Sequence, residues 1–130
     1  MTVSIDSVSS NAMADTLDTE IGANHELRLY DATDTLLAQM AFTGSATSVG
    51  DVGGAQSLTY SEAGYTDDET PVAAGTCTYA VIRRMAATAR EVVRFTDPET
   101  ELSLSSTGIL TTEPVRVTAD VVVKLPNFTA

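Results

Sequence analysis

The chain carries few residues able to do covalent or acid–base chemistry. His25 is the single histidine, between Asn24 and Glu26. Any Ser-His-Asp or Cys-His arrangement would have to use it. Its place just ahead of an alternating run reads as an exposed turn. Cys77 is the single cysteine. One His and one Cys give too few soft ligands for a zinc-type site. No basic residue adjoins Cys77 to lower its pKa, so it reads as a small core residue on a strand. The densest carboxylates are Asp67, Asp68 and Glu69, with Glu62 nearby. Oxygen ligands suit Ca²⁺, but this spacing is not that of the calcium-loop motif, and a solvated acidic loop is the simpler expectation. Asp31 and Asp34 read as turn chemistry. Gly50, Gly53 and Gly54 have neither the spacing nor the lysine of a phosphate loop, and read as a flexible loop. With acids spread along the chain, some glycosidase-like pair of carboxylates is always near, which carries no specificity. Asn127-Phe128-Thr129 matches a glycosylation sequon, but the leading MTVSIDSVSS has neither the basic region nor the apolar core of a signal peptide. No cofactor or metal is expected.

The arginines are more informative. Arg83, Arg84, Arg90 and Arg94 are four of the seven basic residues, set within twelve positions of a chain whose net charge is −11. Arginine is enriched at interfaces because its fork pairs carboxylates bidentately. The competing reading is that these side chains neutralise Glu91, Asp97 and Glu101 on an outer sheet face. Both stay open.

The elements that hold these residues follow from period and punctuation. At 130 residues and 43 % hydrophobic content, the chain suits one domain, 1–130, with enough core to need no staple. A sequence pI of about 4.1 argues against direct nucleic-acid binding and against anionic membranes. No apolar run approaches the roughly 20 residues of a membrane helix. Gly75 to Phe95 reads as two strands joined near Met85–Ala87, long enough to centre a sheet. Val3 and Ile5 read as a short strand, or as part of an extended arm, 1–9, packing on a neighbour. A helix is expected over 10–22, with N-cap candidates Ser9, Ser10 and Asn11, a stripe of Met13, Leu17 and Ile21, and a stop at Gly22. Asp15, Asp18 and Glu20 fall on its wet side. Residues 26–31 and 35–42 read as a hairpin with Leu27, Leu29, Leu36, Ala38, Met40 and Phe42 inward. Residues 44–54 read as loop, 56–60 as a strand, 61–71 as an acidic surface loop and 101–105 as a strand. The clearest strand is 114–126, with Val115, Val117, Ala119, Val121, Val123 and Leu125 on one face and Pro114 and Pro126 at its ends. Seven or eight strands and one short N-terminal helix predict an all-β fold, an antiparallel sandwich or jelly roll.

Several of these segments together resemble a group of small tailed-bacteriophage structural proteins. They are Asn11-Ala-Met-Ala-Asp15, Leu27-Arg-Leu-Tyr-Asp31, Leu36 to Phe42, Ala73-Ala-Gly-Thr-Cys-Thr-Tyr-Ala-Val-Ile-Arg83 and the valine-rich Val115 to Pro126. The likeness spans nearly the whole chain. It departs at Arg84-Met-Ala-Ala, where family members often carry a D-x-x-G turn. The family resembled is that of head decoration (cement) proteins. The resemblance implies a non-enzymatic virion protein, made in the host cytoplasm and placed on the outer surface of the capsid. Its implied partners are the major capsid protein and further copies of itself, as a homodimer or homotrimer. The alternative within the same resemblance is a tail component: tube, terminator or completion protein. The expected contacts are the N-terminal segment with Val3 and Ile5, the 44–54 loop, and the hairpin with Arg83, Arg84, Arg90 and Arg94. A carbohydrate-binding sandwich ranks lower, because there is no Trp and only Tyr60 and Tyr65 read as loop aromatics. An enzyme ranks lowest, for want of a nucleophile setting.

Overall fold

The computed structural model describes residues 7–44, 48–52, 55–86 and 88–124. The chain is an antiparallel all-β, sandwich-like fold with one main helix. The helix α1 (Ser7–Ile21) comes first, then β1 (Asn24–Tyr30), β2 (Leu36–Thr43), β3 (Ser48–Val52) and β4 (Ala55–Tyr60). They are followed by β5 (Gly75–Thr76), β6 (Tyr79–Arg84), β7 (Arg90–Phe95), the single-turn α2 (Pro98–Glu101), β8 (Gly108–Ile109) and β9 (Val121–Lys124). One sheet runs β2-β1-β6-β7, a second β3-β4-β9, and β5 pairs with β8. Among the described residues, seven strands have four residues or more, in line with the expected strand count.

The core lies between the two larger sheets. Leu27 and Leu29 of β1, Met40 of β2, Ile82 of β6, Leu58 and Tyr60 of β4, and Val121 and Val123 of β9 are all buried. Period-two alternation explains most of this. Each strand offers every second residue to the shared interior, and fully burying a Leu- or Ile-sized side chain stabilises by about 1.5–3 kcal/mol. Helix α1 touches β3 and β4 of one sheet and β6 of the other. Gly22, at φ 81, ends it as expected.

Several boundaries differ from those read in the sequence. The helix begins at Ser7, so Ser9, Ser10 and Asn11 lie inside it, and residues 7–9 belong to it rather than to an arm. Val3 and Ile5 lie outside the described residues. The buried helical face runs through Ala14 and Ile21, both 0 % exposed, while Met13 is 40 % exposed. A stripe at strict spacing four drifts around a 3.6-residue helix, and burial follows the mixed three-four spacing instead. Much of the expected 44–54 loop is strand, because β3 pairs with β4 from Ser48↔Thr59 to Val52↔Ala55. The expected strand at 101–105 is α2's last residue followed by Leu102, which is buried, and Leu104, which bridges to Val117. Among the described residues of the long C-terminal run, only Val121–Lys124 forms a ladder. Val115 and Val117 make isolated bridges, to Asp68 and Leu104. Ala119 faces solvent, and Leu125 lies outside the described residues.

The candidate interaction surface

The outer face of the four-stranded sheet is a grid fixed by strand register. Arg28 of β1 lies opposite Val81 of β6, which lies opposite Arg94 of β7. In the neighbouring row Glu26 lies opposite Arg83, and Arg83 opposite Glu91. Tyr30 lies opposite Tyr79. Their rings stack with centroids 5.1 Å apart. Val81, on this outer face, is only 3 % exposed. Its two register neighbours are arginines, whose aliphatic stems can cover an apolar side chain while the guanidiniums stay wet.

The charges on this face are partly spent on one another. Arg28 Nη2 and Nε donate to Glu26 Oε1 at 2.9 and 3.2 Å. Arg94 Nη2 donates to Glu91 Oε1 at 2.8 Å, and its guanidinium carbon sits 4.5 Å from the Tyr79 ring centroid. The Tyr79 hydroxyl donates to Asp34 Oδ1 at 2.7 Å, and that bond pushes its pKa up to about 12. Asp34 itself stands at φ 65 in the turn after β1. The turn is held by Asp31 Oδ1, which accepts from the Thr33 and Thr35 amides, as expected of turn aspartates.

The four hairpin arginines do not form one patch. Arg84 and Arg90 lie opposite each other on the inner side and both reach Glu20 of α1, Arg84 Nη1 at 3.0 Å. Arg83 and Arg94 belong to the outer face. Arg94 pairs with Glu91, as the neutralising reading expects, whereas the acid held by Arg84 and Arg90 comes from the helix. Among the described residues Arg83 makes no ion pair, and its buried Nε has no hydrogen-bond partner. Among the described residues Arg83 is the outer-face arginine with no carboxylate partner, so an incoming acid displaces none there.

The other chemically suggestive residues are structural. His25, expected in an exposed turn, instead lies on β1 with 1 % exposure, facing the core with Leu27 and Leu29. Its ring stacks on Phe42 at 4.6 Å and meets Tyr60 and Tyr65 edge-on. Nε2 lies 2.9 Å from the Tyr65 hydroxyl, and Nδ1 lies 3.4 Å from Gly22 O. A neutral ring fits this setting, with Nδ1–H directed at Gly22 O and Tyr65 donating to Nε2. Burial lowers its pKa to about 4. Tyr60 and Tyr65, read as loop aromatics, are buried with it. Asp18, expected on the wet side of the helix, accepts from the Tyr60 hydroxyl at 2.8 Å. The signal for His25 was present in parity: it shares odd numbering with Leu27 and Leu29. Nothing local signals Tyr65 or Asp18.

Cys77 is buried and free, as expected, but it lies between β5 and β6 rather than within a strand. Burial pushes its thiol pKa up. The acidic loop is tied down: Asp68 accepts from the Gln39 and Thr70 amides, and its backbone pairs with Val115. Among the described residues no group of three or more His, Cys, Asp and Glu is placed to hold a metal ion.

Comparisons with protein-family models, with curated proteins and with solved structures find no match to this chain.

Proposed function

We propose that this protein is a virion structural protein, a capsid decoration module that binds the outer surface of a phage head and bridges major capsid protein subunits. The observation that carries the proposal is the outer sheet face. It presents Arg28, Arg83 and Arg94 with Tyr30 and Tyr79, beside the acids Glu26, Glu91 and Asp34, in a chain of net charge −11. Arginine and tyrosine are the side chains that most often anchor protein–protein contacts, and the pairing they offer is to carboxylates on a flat partner surface. The resemblance of five segments to head decoration proteins supplies the partner. Binding that favours an assembled, expanded shell stabilises that state by linkage, and many copies per shell make modest single-site affinity sufficient.

Co-sedimentation of the purified protein with DNA-filled heads, unexpanded shells and isolated tails tests this reading. Saturable binding to filled heads is expected, with weaker binding to unexpanded shells. Arg83→Ala and Arg28→Ala should each weaken head binding by about tenfold, and Arg28→Ala should also lower the melting temperature, by unpairing Glu26 and uncovering Val81. Binding to tails alone would replace the proposal with the tail-component reading.

A further inference from the structure

The four-stranded sheet has two edges, and they are treated differently. The β2 edge is closed by residues 66–73, from the segment after β4. Leu37 O accepts from the amides of Val72 and Ala73, Ala41 O accepts from the amide of Thr66, and Asp68 accepts from the amide of Gln39. The β7 edge, residues 90–95, has no comparable cover among the described residues. It borders an open groove of about 530 Å³ with Val93 and Phe95 on its wall. A six-residue strand left open in this way is a template for pairing with another chain.

The pattern along β7 selects the partner. A β-bulge inserts Val92 between Val93, opposite Ile82, and Glu91, opposite Arg83. Val92 and Val93 therefore both pack toward the core. Glu91 and Arg94 both stand on the outer face, where they pair with each other. Arg90, opposite Arg84, and Phe95, opposite the buried Ala80, are on the inner side. From 90 to 95 the faces read in, out, in, in, out, in, which is the same in both directions. In a regular antiparallel ladder, facing residues must share a face, and a two-fold axis between adjacent residues is forbidden. The bulge removes that prohibition for one register, with the axis between Val92 and Val93. In that register Glu91 faces Arg94 of the second copy, twice, and Val92 faces Val93.

We propose that β7 is a homodimerisation edge, pairing antiparallel with β7 of a second copy of this chain about a two-fold axis between Val92 and Val93. The interface is isologous, as two-fold dimers require. One short ladder is a small interface, so a dissociation constant of roughly micromolar strength is expected. The proposal concerns self-association, which the capsid reading above does not include. A monomer that still binds heads removes the pairing and leaves the capsid reading, and a dimer that binds no heads does the reverse.

Sedimentation equilibrium of the full chain tests it, in salt sufficient to screen the net charge of −11 per copy. The wild-type chain should dimerise. Glu91→Arg sets arginines against arginines at the contact, and Arg94→Glu sets glutamates against glutamates, so each variant alone should dimerise about tenfold or more weakly. An equimolar mixture of the two should recover a heterodimer, because their contacts are complementary only across the interface. The double variant Glu91→Arg/Arg94→Glu should dimerise like the wild type. Circular dichroism melts report whether each variant is folded. A wild-type chain that stays monomeric overturns the proposal. So does a dimer indifferent to both single changes, or a mixture that stays monomeric.

Discussion

Protonating His25 would place a charge among Phe42, Tyr60 and Tyr65, where burial holds the ring's pKa near 4 against an ordinary 6.5. Asp18, the nearby carboxylate, opposes that shift without cancelling it. Between those two values the unfolded chain binds a proton that the folded chain refuses, so stability rises with pH across the window. The contribution is complete above about pH 6.5, falls as the pH drops, and levels off below about 4. A shift of this size corresponds to about 3 kcal/mol. Urea unfolding between pH 4 and 7 should show this slope in the wild type and a flatter one in His25→Gln. A second test lies beside it. A Cβ on Gly64 would stand 2.3 Å from Phe42 Cε2, within the same ring cluster. Gly64→Ala should therefore cost about 1–3 kcal/mol, by displacing Phe42 from its stack on His25. A thermal melt unchanged from wild type would remove the cluster from the account of stability.

At the scale of elements, two adjacent residues hold α1 by different physics. Glu20 receives Arg84 and Arg90, but all three side chains are a quarter to a half exposed, so water and salt weaken the contact. Ile21 is fully buried. Ile21→Ala should cost about 2–5 kcal/mol and Glu20→Ala less than about 1 kcal/mol. In molar salt the Glu20 effect should vanish while the Ile21 effect persists, as denaturant midpoints would report. The same contrast marks what the sequence makes legible. Leu27, Leu29, Met40 and Phe42 alternate at the strand period, so their inward face is readable without a structure. The β3–β4 hairpin is not, because Ser48–Val52 contains Ser, Gly and Asp and is held by pairing to β4, which β9 covers from far along the chain. Val115 and Val117 keep the alternation of a strand but find only isolated bridges. Their burial was legible and their ladder was not. The arginines were legible as a cluster. Their division between a helix clamp and an outer face was not, because it depends on the register of β6 against β1 and β7.

For the whole molecule, the net charge of −11 and the arginine-bearing outer face describe two different surfaces. A net charge of that sign repels phosphate backbones and other acidic proteins, whereas on the readings proposed above one sheet face and one open edge pair with protein partners. The function proposed above sets that face against a capsid. Cryo-electron microscopy of filled heads incubated with the protein tests it directly. The expected result is ordered density for this fold outside the shell, with the sheet face bearing Arg28, Arg83 and Tyr79 turned toward capsid subunits. Bare heads at saturating protein, or density docked through another surface with that face left in solvent, would contradict it.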